Sequence, residues 1–196
     1  MDGSIASPAL PSWVPRLAVD VDSFHGMAAA GILRPDERVE LIEGELVRMS
    51  PIGNRHVATV LALTRALVPR VMDVAEVSVQ NPIRLGRYSE PEPDLALLRR
   101  RPNDDWTAAL PQAADVMLII EVADTTLRFD REVKAPLYAQ HGIPELWIVD
   151  LEGRVILVHR DPVDGRYASV DEILADGVLS PRALPELMLK ATDVLR

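Results

Sequence analysis

The segment VMLIIEV, residues 116–122, constrains this chain more than any other. It is a nearly unbroken apolar run, rich in β-branched residues, and both faces of such a strand must be covered. That places it in the middle of a sheet with helices packed on it. Its penultimate residue is a carboxylate, Glu121. A charge at the end of a buried strand is costly unless it is paired, hydrogen-bonded or metal-bound.

The neighbouring segments predict what surrounds this strand. Residues 1–19 contain Pro8, Pro11 and Pro15 without periodicity and read as a loose arm, leaving 20–196 as one domain. DSFHGMAAAG predicts a short helix capped by Asp22 or Ser23 and stopped by Gly31. VELIEGELVRM predicts a β-hairpin turning at Glu43-Gly44. From His56 to about Val71 the apolar residues recur near the helical period, with Pro69 set to kink or shorten the end. VSVQNPIRL and PDLALL read as strands, and residues 100–114 as a loop with one helical turn at most. A helix from Arg131 to His141 follows, capped by Asp130 and closed by Gly142, with Pro136 in its first turn. ELWIVD and RVILVHR form a hairpin around Leu151-Glu152-Gly153, and a short strand or two and a terminal helix complete the chain. The fold class is therefore α/β: a mixed sheet flanked by helices, with an N-terminal helix and a β-hairpin added.

Composition narrows the chemistry. With no cysteine among 196 residues, disulfide and zinc-thiolate chemistry are excluded. No apolar run approaches the roughly 18 residues that cross a bilayer. The N-terminus lacks the basic and apolar regions of a secretory signal, so a cytoplasmic protein is expected. The net charge of −9 opposes indiscriminate nucleic-acid binding, because phosphate contacts need Lys and Arg. Arg99, Arg100 and Arg101 form a local basic stretch.

Three residues together suggest a site. Asp94 follows Pro93 and opens the PDLALL strand. If that strand neighbours the one carrying Glu121, two hard carboxylates converge at one sheet end, as Mg²⁺ or Mn²⁺ requires. Lys134 lies in the first turn of the following helix and can reach back over the strand end. Taken singly, an Asp after Pro is common turn chemistry and most lysines are solvated. His56 begins the long helix and is either an accessory contact to phosphate or water, or simply packed.

Four segments carry a resemblance: VELIEGELVRMSPIGNRH (39–56), IRLGRYSEPEPDLALL (83–98), IIEVADTTLRFDREVKAPLYAQHGIPELWIVD (119–150) and GVLSPRALPEL (177–187). In this order they resemble the Uma family of bacterial restriction endonucleases, within the PD-(D/E)XK nuclease superfamily. The resemblance implies a restriction-endonuclease-like fold in which Asp94 matches the aspartate of the PD motif and Glu121 the second acidic residue. The superfamily's lysine usually lies two residues further on, where this chain has Ala123. The family it resembles places that lysine on the next helix, which Lys134 matches. The resemblance further implies Mg²⁺ or Mn²⁺ held by Asp94 and Glu121, with the carbonyl of Val122 as a further ligand, while Glu43 is either an extra metal-directed carboxylate or a plain charge of the hairpin turn. Lys134 would orient water or stabilise the transition state. The substrate implied is nucleic acid, DNA in particular, cut to a 5′-phosphate and a 3′-hydroxyl. A homodimer joined through the apolar hairpins is implied as well. Two other readings stay open from the residues: a nuclease fold that binds without catalysis, and a metal-independent two-carboxylate hydrolase such as a glycosidase.

Overall fold

Alternation of apolar and polar residues generates a hairpin before the main sheet begins. In the computed structural model, which describes residues 13–34, 36–102 and 106–195, helix α1 (Val21–Ala29) leads to strands β1 (Val39–Ile42) and β2 (Glu45–Arg48). Residues 1–12 of the expected arm lie outside the described residues. The two strands pair antiparallel, with Ile42 opposite Glu45. Their turn places Glu43 at φ 49° and Gly44 at φ 82°, the left-handed pair that a two-residue hairpin requires. Glycine is needed for a second reason, since a Cβ on Gly44 would meet the Ala18 Cβ at 2.6 Å. Asp20, rather than Asp22 or Ser23, caps α1: its carboxylate accepts from the Ser23 N–H at 2.9 Å, and the buried Val21 is already helical.

Helix α2 (Asn54–Val71) follows, running past Pro69 by two residues. Strands β3 (Ala75–Val79), β4 (Leu95–Arg99) and β5 (Val116–Ala123) come next. VSVQNPIRL is thus only partly a strand. Gln80 takes φ 50° and Pro82 has no N–H to give to a ladder, so the run breaks and Ile83 and Leu85 are buried beyond it. A short helix α3 (Leu127–Phe129), a π-helical turn (Asp130–Lys134) and helix α4 (Ala135–Gln140) lead to β6 (Glu145–Asp150). Strands β7 (Val155–Val163) and β8 (Arg166–Leu174), the short pair β9 (Val178–Leu179) and β10 (Leu189–Lys190), and helix α5 (Ala191–Val194) finish the chain.

The six-stranded sheet has the order β3-β4-β5-β6-β7-β8. Only β5 and β6 are parallel, joined by the crossover through α3 and α4. All eight residues of β5 are buried, as the apolar run requires. From Leu118 onward, past the register shift with β4, the period of two divides them. Leu118, Ile120 and Val122 join the core under α2, with Leu63, Leu67 and Trp147. Ile119 and Ala123 join the core under α4, with Leu137, Tyr138 and Ile148. Glu121 has the parity of the α4 side.

Leu118 is fully buried at the centre of the sheet. Leu118→Ala is expected to lower unfolding free energy by about 2–5 kcal/mol through lost burial and a residual cavity. Urea titration should show a lower midpoint at an unchanged slope.

Candidate active site

Register brings the two sequence-predicted carboxylates together. Leu95 of β4 stands opposite Ile120 of β5, so one further step sets Asp94 beside Glu121. The Asp94 N–H donates to Glu121 Oε2 at 3.4 Å, and the Val122 N–H donates to Asp94 Oδ2 at 2.8 Å. Asp94 Oδ1 lies 2.8 Å from His56 Nε2 and accepts from Gln80 Nε2 at 3.4 Å. His56 comes from the first turn of α2, so helix and strand end fix the Asp94 carboxylate from two sides. Asp94, Glu121, Lys134 and His56 line one cavity of about 600 Å³.

Lys134 is 4% exposed, far from the solvated charge that most lysines are. Its Nζ lies 2.9 Å from Glu40 Oε1 and 3.1 Å from Glu121 Oε1. The Tyr138 hydroxyl, one α4 turn on, donates to Glu121 Oε1 at 2.6 Å. The backbone places both groups through an unusual turn. Pro136 has no N–H and its ring crowds the carbonyl four residues back, so a regular helix through this segment is disfavoured. The chain opens into a π turn instead, in which the Ala135 N–H donates to Asp130 O, five residues back. Asp130 is consequently not the cap that its position suggested. It is buried inside the turn and accepts from the Thr126 hydroxyl at 2.7 Å.

Burial dominates the electrostatics. It pushes Glu121 up to about 8, against the pull of Lys134 and with the push of Asp130, Asp94 and Glu40. Burial likewise raises Asp130 to about 6. For Lys134, burial favours the neutral amine, but Glu121, Glu40 and Asp130 outweigh it and hold the ammonium charged well above its ordinary range. Tyr138 is pushed far upward by burial and stays a hydrogen-bond donor.

Sequence reading missed Glu40 and Tyr138. Glu40 is 2% exposed, accepts from the Glu92 N–H at 2.7 Å, and takes the position beside Lys134. The available signal was its place inside VELI, an otherwise apolar strand whose last three residues are all buried. Glu43 stands outside the described lining of the cavity: it occupies the hairpin turn, where its N–H donates to Ser89 Oγ at 2.9 Å. The basic stretch is remote as well. Arg100 lies six residues along β4 from Asp94, about 20 Å at 3.3 Å per residue. Arg101 pairs with Asp115 at 2.8 Å and covers the Trp106 ring.

The described lining carries seven carboxylates and four Lys or Arg residues. Among the described residues, no three His, Asp or Glu side chains are grouped to enclose a metal by themselves. Two adjacent carboxylates opening on a roomy cavity nevertheless suit Mg²⁺, which keeps several waters and takes one or two protein carboxylates plus substrate oxygens.

Removing the Lys134 charge leaves Glu40 and Glu121 buried without their cation. Lys134→Met is expected to cost about 3–5 kcal/mol at pH 8. The loss should shrink as pH falls, because a Glu121 pKa raised above its unfolded value makes the native state the better proton binder. Urea unfolding at pH 8 and pH 5.5 checks both; equal losses at the two values would contradict this account.

Comparison with known proteins agrees with this architecture. A solved structure described as a "putative nuclease belonging to DUF820", from Anabaena variabilis, superimposes with a TM-score of 0.72 at 16% identity, covering 90% of this chain and 97% of that one. No curated protein matches the chain. No described helix is long and apolar enough to cross a membrane. The family model described as "Uma2: Putative restriction endonuclease" matches residues 21–192. With that match spanning nearly its whole length, this nuclease-fold chain belongs to the Uma2 restriction-endonuclease family.

Proposed function

We propose that the protein is a divalent-metal-dependent endonuclease that hydrolyses phosphodiester bonds of DNA. The observation that carries this reading is the meeting of Asp94 and Glu121 at one end of paired strands, beside a buried lysine, on the floor of an open cavity. The family description supports a nucleic-acid substrate.

Asp94 and Glu121 would hold Mg²⁺ or Mn²⁺, with the Val122 backbone beside them. Bound there, the cation supplies Lewis-acid charge to the phosphoryl group and lowers the pKa of water. Its positive charge also offsets the carboxylate excess of the lining, which would otherwise repel a phosphodiester. The chain's own groups do the positioning. His56 and the Val122 N–H fix the Asp94 carboxylate, and Tyr138 and Lys134 fix Glu121 Oε1, leaving Oε2 with one long bond from Asp94. The ammonium of Lys134 has three N–H groups, and Glu40 and Glu121 account for two. The third serves an attacking water or a phosphate oxygen, stabilising charge as it develops. Attack at phosphorus with departure of the 3′ oxygen gives a 5′-phosphate and a 3′-hydroxyl.

Calorimetric titration with Mn²⁺ tests the reading without a substrate. Wild type should bind, and Asp94→Asn and Glu121→Gln should not. Because a metal ligand must be deprotonated and burial raises Glu121 to about 8, binding should release a proton. Affinity should then fall by up to about tenfold per pH unit below pH 8. Equal binding by both variants, or none by wild type, would overturn the metal site.

A further inference from the structure

Hydrolysis of a phosphodiester needs a group that takes a proton from the attacking water, and the hydrolytic reading above, on which this inference rests, leaves that group unnamed. Seven carboxylates line the cavity, and six of them have a basic side chain within ion-pair reach. Glu40 and Glu121 meet Lys134, Asp94 meets His56, Glu92 meets Arg38, Asp124 meets Arg55 and Glu132 meets Arg128. Asp130 is the exception: among the described residues it has no ion pair, although it is only 3% exposed.

The contact that holds Asp130 in the fold uses one of its oxygens. Oδ2 accepts from the Thr126 hydroxyl at 2.7 Å, and Oδ1 accepts no hydrogen bond among the described residues. The sealed side-chain atoms that lack a partner are His56 Nδ1, Thr59 Oγ1 and Glu90 Oε2, and Asp130 Oδ1 is not one of them. Oδ1 therefore opens on the cavity that Asp130 lines.

Its place relative to Lys134 gives this oxygen a use. Asp130 and Lys134 begin and end the π turn, and both are buried. Against the burial that favours the neutral amine, Glu121, Glu40 and Asp130 hold the ammonium charged. The first two touch it, whereas Asp130 acts from beyond the roughly 4 Å of an ion pair. Glu40 and Glu121 occupy two of the three N–H groups on Nζ. A water on the third, lying between Nζ and Asp130 Oδ1, has a donor for its oxygen and an acceptor for its proton. The surroundings suit the acceptor to the task. Burial raises Asp130 to about 6, Lys134 and the Thr126 hydroxyl pull it down, and Asp94 and Glu40 push it up. Glu121 and Tyr138 face the same carboxylate. A base works best when its pKa lies near the operating pH. Lys134 and Tyr138 hold their protons too tightly to serve.

We propose that Asp130 is the general base of the reaction, its Oδ1 taking a proton from a water held on Lys134 Nζ. As that O–H bond breaks, the water oxygen bonds to phosphorus and the bond from phosphorus to the 3′ oxygen breaks. The departing oxygen takes a proton from solvent, and Asp130 later returns its own proton to solvent.

The test measures cleavage of supercoiled plasmid DNA with Mn²⁺ saturating at each pH, alongside calorimetry and thermal melting of the same proteins. Asp130→Asn keeps the shape of the side chain and an acceptor for Thr126. It should bind Mn²⁺ within about threefold of wild type and keep KM within about threefold, yet lower kcat by about 10²–10⁴-fold. Wild-type kcat should fall about tenfold per pH unit below a bend at or under about pH 6, and the variant should lose that bend. A folded Asp130→Asn that cuts within about threefold of wild type, keeps the bend, or no longer binds Mn²⁺ would overturn the proposal and leave metal-dependent hydrolysis standing. If Asp130→Asn does not fold, Asp130→Ala takes its place, with formate added to fill the gap. Restoration of cleavage by about tenfold or more upholds the base, and a folded alanine variant that formate does not change overturns it. A wild type that binds Mn²⁺ but cuts no DNA overturns the hydrolytic reading, and the base with it.

Discussion

The buried ammonium of Lys134 is the point at which the parts of this molecule are tied together. Two carboxylates nearly removed from water, Glu40 and Glu121, converge on it from the hairpin and from the central strand. Taking an isolated charge out of water is costly, and the ammonium between the two carboxylates offsets part of that cost. The hairpin β1–β2 is not part of the six-stranded sheet, and the lysine draws it against the end of β5. Glu145 shows the contrasting use of a buried carboxylate. It is fully buried, accepts from Trp147 Nε1, Arg160 Nε and the Arg182 N–H, and is not part of the lining of the Asp94 cavity. With three donors on its two oxygens it acts as a joint, whereas Glu121 lines the cavity and its Oε2 accepts one long bond from the Asp94 N–H.

Backbone geometry makes the lysine's position possible. A regular helix after β5 would have run into Pro136, and the π turn absorbs that conflict by widening the helix by one residue. The widened turn puts Asp130 and Lys134 inside together. A residue type usually regarded as a helix breaker thereby sets the angle at which the site's cation enters.

Much of this was legible in the sequence because it rests on local patterns. The apolar run of β5, the Glu43-Gly44 turn, the hairpin around Glu152-Gly153 and the Gly142 stop each follow from residue types at short spacing. The Uma resemblance placed Asp94, Glu121 and Lys134 in order, and the register of β4 on β5 brings them to one place. What was not legible depends on partners distant in the chain. Glu40 reads as one more hairpin charge until Lys134, about ninety residues later, is known to meet it. The resemblance drew attention to Glu43 as an extra carboxylate, yet Glu40 is the one buried beside Lys134, and Glu43 stands at the hairpin tip. Asp130 looked like a cap because a helix with Pro136 in its first turn was expected to start beside it, whereas the structure opens a π turn over Asp130–Lys134. The arginines at 99–101 read as a basic patch, but they sit at the far end of β4 from Asp94.

The scattering of the site along the chain also determines when it can exist. Glu40, Asp94, Glu121 and Lys134 belong to four separated segments, and only the last two are joined by a short connection. Closing the longer loops costs entropy before any ionic contact repays it, so such contacts form late. A nascent or partly folded chain would hold these carboxylates apart, hydrated and solvent-accessible. The site is therefore complete only once sheet, crossover and hairpin have all docked, rather than accumulating along the way.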